Sequence, residues 1–537
     1  MTRVLLIGLD GADPELTAQW MKEGRLPHLQ ALAEGGAFSP LQGVTPPVTF
    51  PAWTTCVTGV NPGRHGITDF TEMVRGEYAI RFLNSTDRKA PALWNILSDA
   101  GKRVCVLGVP GTYPPEPVNG IFVSGFDSPV SDTTDRSFVY PQDAWPRVRG
   151  WRFAPFQEHR ITPDWYGKAF RLLEKTIQEK TDIACRLLQE APWDFFMVVF
   201  GEADTASHHF WPLEDEQSPR RSSGSAKLQH PIRSIYEDLD ATVGRLVETA
   251  GEDALVLIVS DHGFGGAGIE TVHLNNFLAE HGWLNYGAAS ESPLKTFALR
   301  WLPAKGRGAL FRRFQTMAVR AESRSRFGGI DWPHTRAWSD ELDYFPSVHL
   351  NLAGREPEGV VPESAYEETV QELCTLLETF PPVSHALPRN VVYDGPWTSR
   401  APDIIIELAW KEGYRYSCTR DKGTVPRGLS RHSIETLPPS NWPGGKEQGN
   451  SGVHRNPALF IMNKSISRET PSLMDIAPTV LQHLAVLSPP MEGISLFNTD
   501  GVGDTDSSKW TPPMKKQYTD DQETILETRM RNLGYFE

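Results

Sequence analysis

The sequence lacks the features that announce several large protein classes. Its 537 residues hold five cysteines, Cys56, Cys105, Cys185, Cys374 and Cys418, odd in number, far apart and without a C-x-x-C pair. That spacing argues against a zinc ribbon or a disulfide framework and for a reducing compartment. No segment offers the roughly 18 uninterrupted apolar residues of a membrane span. Met1 to Asp10 has one basic residue and a short apolar run ending in an acid, without the long apolar region and cleavage site of a secretory signal, so it reads as the first strand of a soluble, cytoplasmic protein. Positive charge is in deficit, 53 Lys and Arg against 67 Asp and Glu for a net −14, and nothing global recommends nucleic acid as a partner. A local exception is 295–326, where nine basic residues face only Glu322, interleaved with Phe297, Leu310, Phe311, Phe314 and Val319. It reads either as a solvated helix face or as a weak contact for an anionic surface. P-loop, H-E-x-x-H and C-x-P-x-R signatures are absent as well.

What is present is a recurrence of short apolar runs, Val4–Leu9, Val104–Val109, Phe195–Phe200, Leu255–Val259 and Leu459–Met462. Helical patterns lie beside them, at Pro14–Lys22 and Pro27–Glu34 after the first and Ile235–Thr249 before the fourth. Continuous apolar strands alternating with helices predict an α/β fold with a mostly parallel sheet covered on both faces. Residues 268–445 are richer in Pro, Trp and Arg and lose the alternation. We therefore expect a catalytic core over 1–267, an inserted cap over 268–445, the core again over 446–500, and a polar linker with a charged C-terminal helix over 501–537. Residues 212–228 read as a mobile polar loop.

Polar residues cluster where the apolar runs end. Asp10 follows the first, Glu202 to His208 follow the third, and Asp261-His262 follow the fourth. In open α/β sheets ligands bind beyond the carboxyl ends of the strands. Asp204 and His208 are at i and i+4, so one helical turn directs both to one side. With Thr49 and His454 the set is three carboxylates, three imidazoles and a hydroxyl, suited to two divalent cations. Two such ions carry +4, and three carboxylates with a Thr49 alkoxide carry −4, leaving a near-neutral site for an anionic phosphate. Each residue alone has a plainer reading: Asp10 a strand-end or capping acid, Thr49 a turn, Asp204 and His208 a helix-surface pair. Thr54 and Thr55 are rival hydroxyls, better read as part of the helix after Thr49. His65 and His209 read as structural, with His65 orienting the Thr49 loop. The formal G-x-G-x-x-G at Gly263–Gly268 reads as a flexible loop beside the site, since no helix follows.

Thr45 to Ile67, TPPVTFPAWTTCVTGVNPGRHGI, resembles the nucleophile segment of the type I phosphodiesterase and nucleotide pyrophosphatase family of the alkaline phosphatase superfamily, matching at Thr49, Pro51, Thr58, Gly59, His65, Gly66 and Ile67. Leu9-Asp10-Gly11, Asp204 to His208, Ser260 to Gly263, Gly452 to His454 and Asp475 to Thr479 match too. The resemblance implies the alkaline-phosphatase-like three-layer fold and a metal-dependent hydrolase of phosphate diester or pyrophosphate bonds. It also implies two ions, zinc before manganese, one on Asp204, His208 and His454 and the other on Asp10, Asp261, His262 and Thr49. Thr49 would attack phosphorus in line and become transiently phosphorylated. Phe70 stands where the nucleotide pyrophosphatases carry an asparagine that binds a phosphate oxygen, and Phe50 through its backbone N–H, Arg64 or Arg455 is the candidate replacement. Gly354 to Pro357, Pro402 to Ile404 and Leu533 to Tyr535 are similar to a bacterial branch of predicted phosphohydrolases or phosphomutases. The expected substrate is a small phosphorylated molecule. A phosphomonoesterase or phosphomutase, and a metal-binding protein without turnover, are the alternatives.

Overall fold

A computed structural model describes residues 3–126, 136–153, 163–221, 228–287, 327, 329–342, 344–421, 432–442, 450–497, 517–519, 522–523, 525–527 and 530. The basic stretch 295–326 lies outside the described residues. Among the described residues no helix is long and apolar enough to cross a membrane.

The apolar runs form the centre of an eight-stranded sheet, in the order Ala37–Leu41, Ala458–Met462, Ala254–Val259, Arg3–Leu9, Phe195–Phe200, Val104–Val109, Gly120–Ser124 and Val139–Tyr140. The five strands from Ala254–Val259 to Gly120–Ser124 are mutually parallel; Ala458–Met462 and Val139–Tyr140 run antiparallel to them, and Ala37–Leu41 runs antiparallel to Ala458–Met462. Alternate residues feed two apolar layers. Leu5, Ile7, Phe196, Val198, Val256 and Ile258 pack under the helices Pro163–Glu190 and Pro231–Ala250. Val4, Leu6, Phe195, Met197, Leu255 and Leu257 pack under Thr49–Thr58, Leu93–Asp99 and Ile476–His483. The strands are thus buried on both faces, which is why they are apolar at every position rather than at every second one. The register aligns Leu9 with Phe200 and Gly8 with Val259, so the chain leaves three adjacent strands at one level and one edge.

Two expectations are corrected. The glycine-rich run is an ordered strand, Gly263–Val272, paired with Gly452–Arg455, Tyr414–Cys418 and Ile434–Thr436. Its glycines leave room for rings: a Cβ on Gly265 would stand 2.5 Å from Trp410 and one on Gly266 2.7 Å from Tyr414. The helix over Glu202–Glu214 extends into the segment read as a loop, and Arg220 beyond it is fully buried. Its guanidinium donates to the Gly268 and Asn450 carbonyls and the Ser417 hydroxyl, and these contacts fix 215–221 against the strands.

A second sheet, Ala337–Ser339, Ser347–Leu350, Ile404–Leu408 and Val383–Pro388, has an apolar cluster of its own with the helix Tyr366–Leu377. Trp332 and Trp338 belong to that cluster, and Tyr78 stacks on Trp332 with ring centroids 3.5 Å apart. Gly354 to Pro357 and Pro402 to Ile404 turn out to be halves of one contact. Arg355 donates to both oxygens of buried Asp403, at 2.8 and 2.6 Å, and Arg389 lies 3.0 Å from the same carboxylate. Burial pushes the Asp403 carboxyl up, but Arg355 and then Arg389 outweigh it and hold it below the usual carboxylate value. A depressed folded-state value means that the stabilisation is complete above about pH 4 and is lost as pH falls through the folded value. Asp403→Asn leaves two guanidinium groups without their anion and is expected to cost roughly 3 kcal/mol at neutral pH. Urea denaturation at pH 7 and at pH 3.5 checks this: the variant's deficit should shrink at the lower pH, and equal stability at pH 7 contradicts the assignment.

Candidate metal centre

Three strand ends and an antiparallel strand pair assemble the site. Asp10 follows the first strand, and the next residue, Gly11, turns back with φ +68; a Cβ there would stand 2.7 Å from the Phe264 ring and 2.9 Å from the Asp204 Cα. Its amide donates to Asp261 Oδ1 at 3.1 Å. Asp204 and His208 lie on one face of Glu202–Glu214, His208 Nε2 3.4 Å from Asp204 Oδ1. His454 arrives on Gly452–Arg455, directly opposite Phe264 in the antiparallel register. Gly452 is required by close approach, since a Cβ would lie 2.1 Å from the Ser207 carbonyl oxygen. Thr49 occupies the first turn of Thr49–Thr58, with its Oγ1 3.4 Å from His262 Nε2. All seven residues are buried.

The imidazoles are aimed by the main chain. Nδ1 of His208 faces the Gly452 carbonyl at 2.9 Å, that of His262 the Gly263 carbonyl at 3.2 Å, and that of His454 the Pro47 carbonyl at 2.9 Å. A carbonyl can only accept, so each Nδ1 carries a proton, and the neutral ring then presents an Nε2 lone pair. These lone pairs converge. His454 Nε2 is 3.0 Å from His208 Nε2 and 3.3 Å from Asp204 Oδ1, and His262 Nε2 is 3.2 Å from Asp261 Oδ2 and 3.9 Å from Asp10 Oδ1. The Asp10 and Asp261 oxygens on this side, Oδ1 and Oδ2, are buried and receive no hydrogen-bond donor among the described residues. Two overlapping groups, Asp204 with His262 and His454, and Asp10 with Asp261 and His262, bring their ligand atoms within 4.8 Å of one another. Buried lone pairs and carboxylate oxygens meeting without donors are the donor set a pair of cations would satisfy.

The electrostatics point the same way. Burial pushes the Asp10 carboxyl well up, with Asp261 and Asp204 adding to it, and burial raises Asp261 to about 8 with Asp204 adding. At Asp204 burial also opposes ionisation, but His208 and His454 outweigh it and hold the group low. Burial lowers His262 and His454, keeping them neutral as metal ligation requires.

Other expected contacts fall elsewhere. Arg64 is half exposed and pairs with Glu492 at 3.2 Å and Asp394 at 3.4 Å. Arg455, next along the strand from His454, points to the opposite side and pairs with Asp13 at 2.9 Å and Glu15 at 2.7 Å. Phe50 and Phe70 are buried in mutual contact, with Tyr344 closing on Phe70. The Phe50 amide lies in the first helical turn, where no intrahelical acceptor is available. His65 links Thr55 Oγ1 at 2.9 Å to the Ile67 amide at 3.2 Å; burial, then Arg88 and Arg400, lowers it to about 3.

Several further residues support the site or the frame around it without being proposed ligands. Trp53 Nε1 donates to Asp10 Oδ2 at 2.9 Å, leaving only Oδ1 for a metal. Its position four residues after Thr49 on the same helix was a legible hint. Ser260 bridges strand ends, donating to Ala12 O and His262 O and accepting from Leu459 N. Asp13 accepts from Glu15 N and Leu16 N through one oxygen and from Phe264 N through the other. Asp475 is held by Arg468, Ser472 N and Ile494 N, which makes Asp475 to Thr479 a structural motif. Trp53→Phe removes the donor but keeps an aromatic ring. Removing such a ligand partner typically costs about 10- to 100-fold in metal affinity, so a chelator-competition titration should find one of two ions bound that much more weakly. Unchanged affinity for both would contradict the role given to the indole.

Comparison with known proteins follows the same chemistry. Among curated proteins none matches this sequence. The fold is shared with the phosphonoacetate hydrolase of Sinorhizobium meliloti 1021, solved with phosphonoacetate, at TM-score 0.55 and 16% identity over 90% of this chain and 95% of that one. It is also shared with murine ectonucleotide pyrophosphatase/phosphodiesterase 5 in complex with AMP, at TM-score 0.50 and 12% identity over 92% and 97% of the two chains. The architecture is alkaline-phosphatase-like. The family model for type I phosphodiesterase / nucleotide pyrophosphatase matches residues 4–435. The chain therefore belongs to that family, divalent-metal-dependent hydrolases of phosphoric ester and anhydride bonds in the alkaline phosphatase superfamily.

Proposed function

We propose that this enzyme cleaves phosphate diester or pyrophosphate bonds in a small phosphorylated substrate, with two divalent metals and Thr49 as nucleophile. The observation that carries the reading is the convergence of three imidazole Nε2 atoms with Asp10 Oδ1, Asp204 Oδ1 and Asp261 Oδ2 beside the Thr49 hydroxyl. Asp204, His208 and His454 would hold one ion, and Asp10, Asp261, His262 and Thr49 the other. When bound, the ions supply the positive charge that lowers the pKa of the hydroxyl and offsets charge on phosphorus oxygens. Thr49 Oγ1 then forms a bond to phosphorus as the bond to the leaving oxygen breaks on the opposite side. The leaving group departs protonated by solvent, and the phosphoryl group is left esterified to Thr49. Water attacks the same phosphorus and frees the threonine. The Phe50 amide, at a helix N-terminus, is the candidate donor for a non-bridging oxygen.

Charge supports a diester over a monoester. Arg64 and Arg455 are both committed to carboxylates, so neither is available for the second negative charge of a monoester. Ligand chemistry supports zinc over manganese. Trp53 and Gly11 each occupy one carboxylate oxygen and each imidazole offers only Nε2, so most ligands give one atom, and the N/O set suits a small tetrahedral ion. The cytoplasm is our assignment for the compartment, in keeping with five cysteines all free and buried. We read 268–445 as the cap that shapes the leaving-group side.

Initial rates with a bis-nitrophenyl diester and with the nitrophenyl monoester test the reading. The diester should have the higher kcat/KM, and Thr49→Ala should fall to background while keeping two metals per chain by elemental analysis. A monoester preference would favour a monoesterase or phosphomutase, and full turnover by Thr49→Ala would remove the nucleophile assignment.

A further inference from the structure

We infer that the C-terminal segment positions the nucleophile, an inference that rests on the reading of Thr49 above. Tyr518, Gln522, Leu526 and Met530 recur every fourth residue, so on helical backbone they form one stripe. The backbone is helical at 522–523, 525–527 and 530. Tyr518, Leu526 and Met530 are buried in the apolar cluster that also contains Phe50 and Phe70. A segment that composition marks as a charged tail thus docks by an apolar face onto the half of the core that backs the site.

The polar member of the stripe makes the specific contact. Gln522 Nε2 donates to the Tyr113 hydroxyl at 3.0 Å, and the Tyr518 ring lies nearly parallel to that of Tyr113, with centroids 5.8 Å apart and 11° between planes. Tyr113 is therefore clamped by both residues. It belongs to the turn that leaves the parallel strand Val104–Val109 at the carboxyl edge of the sheet. In the same turn Gly111 has φ +73, and a Cβ there would touch the Phe50 ring at 3.5 Å. Phe50 shares the first helical turn with Thr49. Tyr518 and Gln522 thus hold Tyr113, whose turn faces the Phe50 ring at Gly111, and Tyr113 and Phe50 share one apolar cluster beside the nucleophile. Close-packed interiors transmit small displacements, and in-line attack is sensitive to them, a misplacement of about 1 Å costing on the order of a hundredfold. The Gln522 amide is directed to the Tyr113 hydroxyl and not to Thr49 or a proposed metal ligand. The role of Tyr518 and Gln522 is to fix where the Thr49 hydroxyl stands, so their loss reduces kcat rather than raising KM.

Steady-state kinetics on full-length Tyr518→Ala, Tyr518→Phe and Gln522→Leu, with the nitrophenyl diester and Thr49→Ala measured alongside, test the assignment. Measured well below each variant's thermal midpoint, Tyr518→Ala and Gln522→Leu should lower kcat roughly tenfold, with KM and metal content as in the parent. Tyr518→Phe, which keeps the ring stack, should restore the parent rate. Where Tyr518→Ala loses structure, Gln522→Leu decides. An unchanged kcat, an effect confined to KM, or a fall in rate that tracks metal loss or unfolding overturns the assignment. If Thr49→Ala alone is inactive, the nucleophile reading stands and the positioning role falls; if Thr49→Ala still turns over, the nucleophile reading itself falls.

Discussion

The carboxyl edge of the sheet is organised around one electrostatic problem, the burial of Asp10, Asp204 and Asp261 about the same imidazoles. Three carboxylates removed from water and facing one another are costly unless positive charge joins them. Neither arginine expected at the site supplies that charge. Arg455 and Arg64 are turned to other carboxylates, and main-chain carbonyls hold the imidazoles with Nε2 toward the site. On the proposed reading this anionic cage depends on bound cations, the same cations that a phosphoryl-transfer reaction needs.

Rigid backbone, rather than a shell of further side chains, holds most of this cage. Parallel register brings Asp10, the Asp204 helix and Asp261 to one level, and antiparallel pairing with the strand from Gly263 adds His454 from almost two hundred residues later in the chain. Gly11 and Gly452 permit the close approaches that place Asp204 and His208. The carbonyls of Pro47, Gly263 and Gly452 orient the rings. The Thr49 segment is tied into the same frame twice, through Pro47 to His454 and through Trp53 to Asp10.

Much of this was legible in the sequence because it follows from local pattern. The five strands are apolar at every position since both faces are covered, and their observed limits differ from the apolar runs by a residue at most. The residues proposed as ligands stand out because strand ends deliver them and because reactive types are rare among such apolar neighbours. What was hidden depends on distant pairing. Arg355 and Asp403 read as separate motifs and form one ion pair. Arg64 and Arg455 looked available for phosphate because nothing local reveals Asp394, Glu492 or Asp13 as their partners. The glycine-rich run looked loose because the rings that fill the space above it, Trp410 and Tyr414, come from more than a hundred residues away. A carbonyl that aims an imidazole leaves no trace in residue identity at all.

The central claim is that Thr49 itself becomes bonded to phosphorus. It is tested most directly by quenching the enzyme in acid during turnover of a slow phosphodiester, digesting it and mapping the phosphorus-bearing peptide by mass spectrometry. The account predicts one adduct, on the peptide containing Thr49 and localised to its side chain. Turnover without an adduct, or with the adduct on Thr54, Thr55 or a histidine, would contradict it.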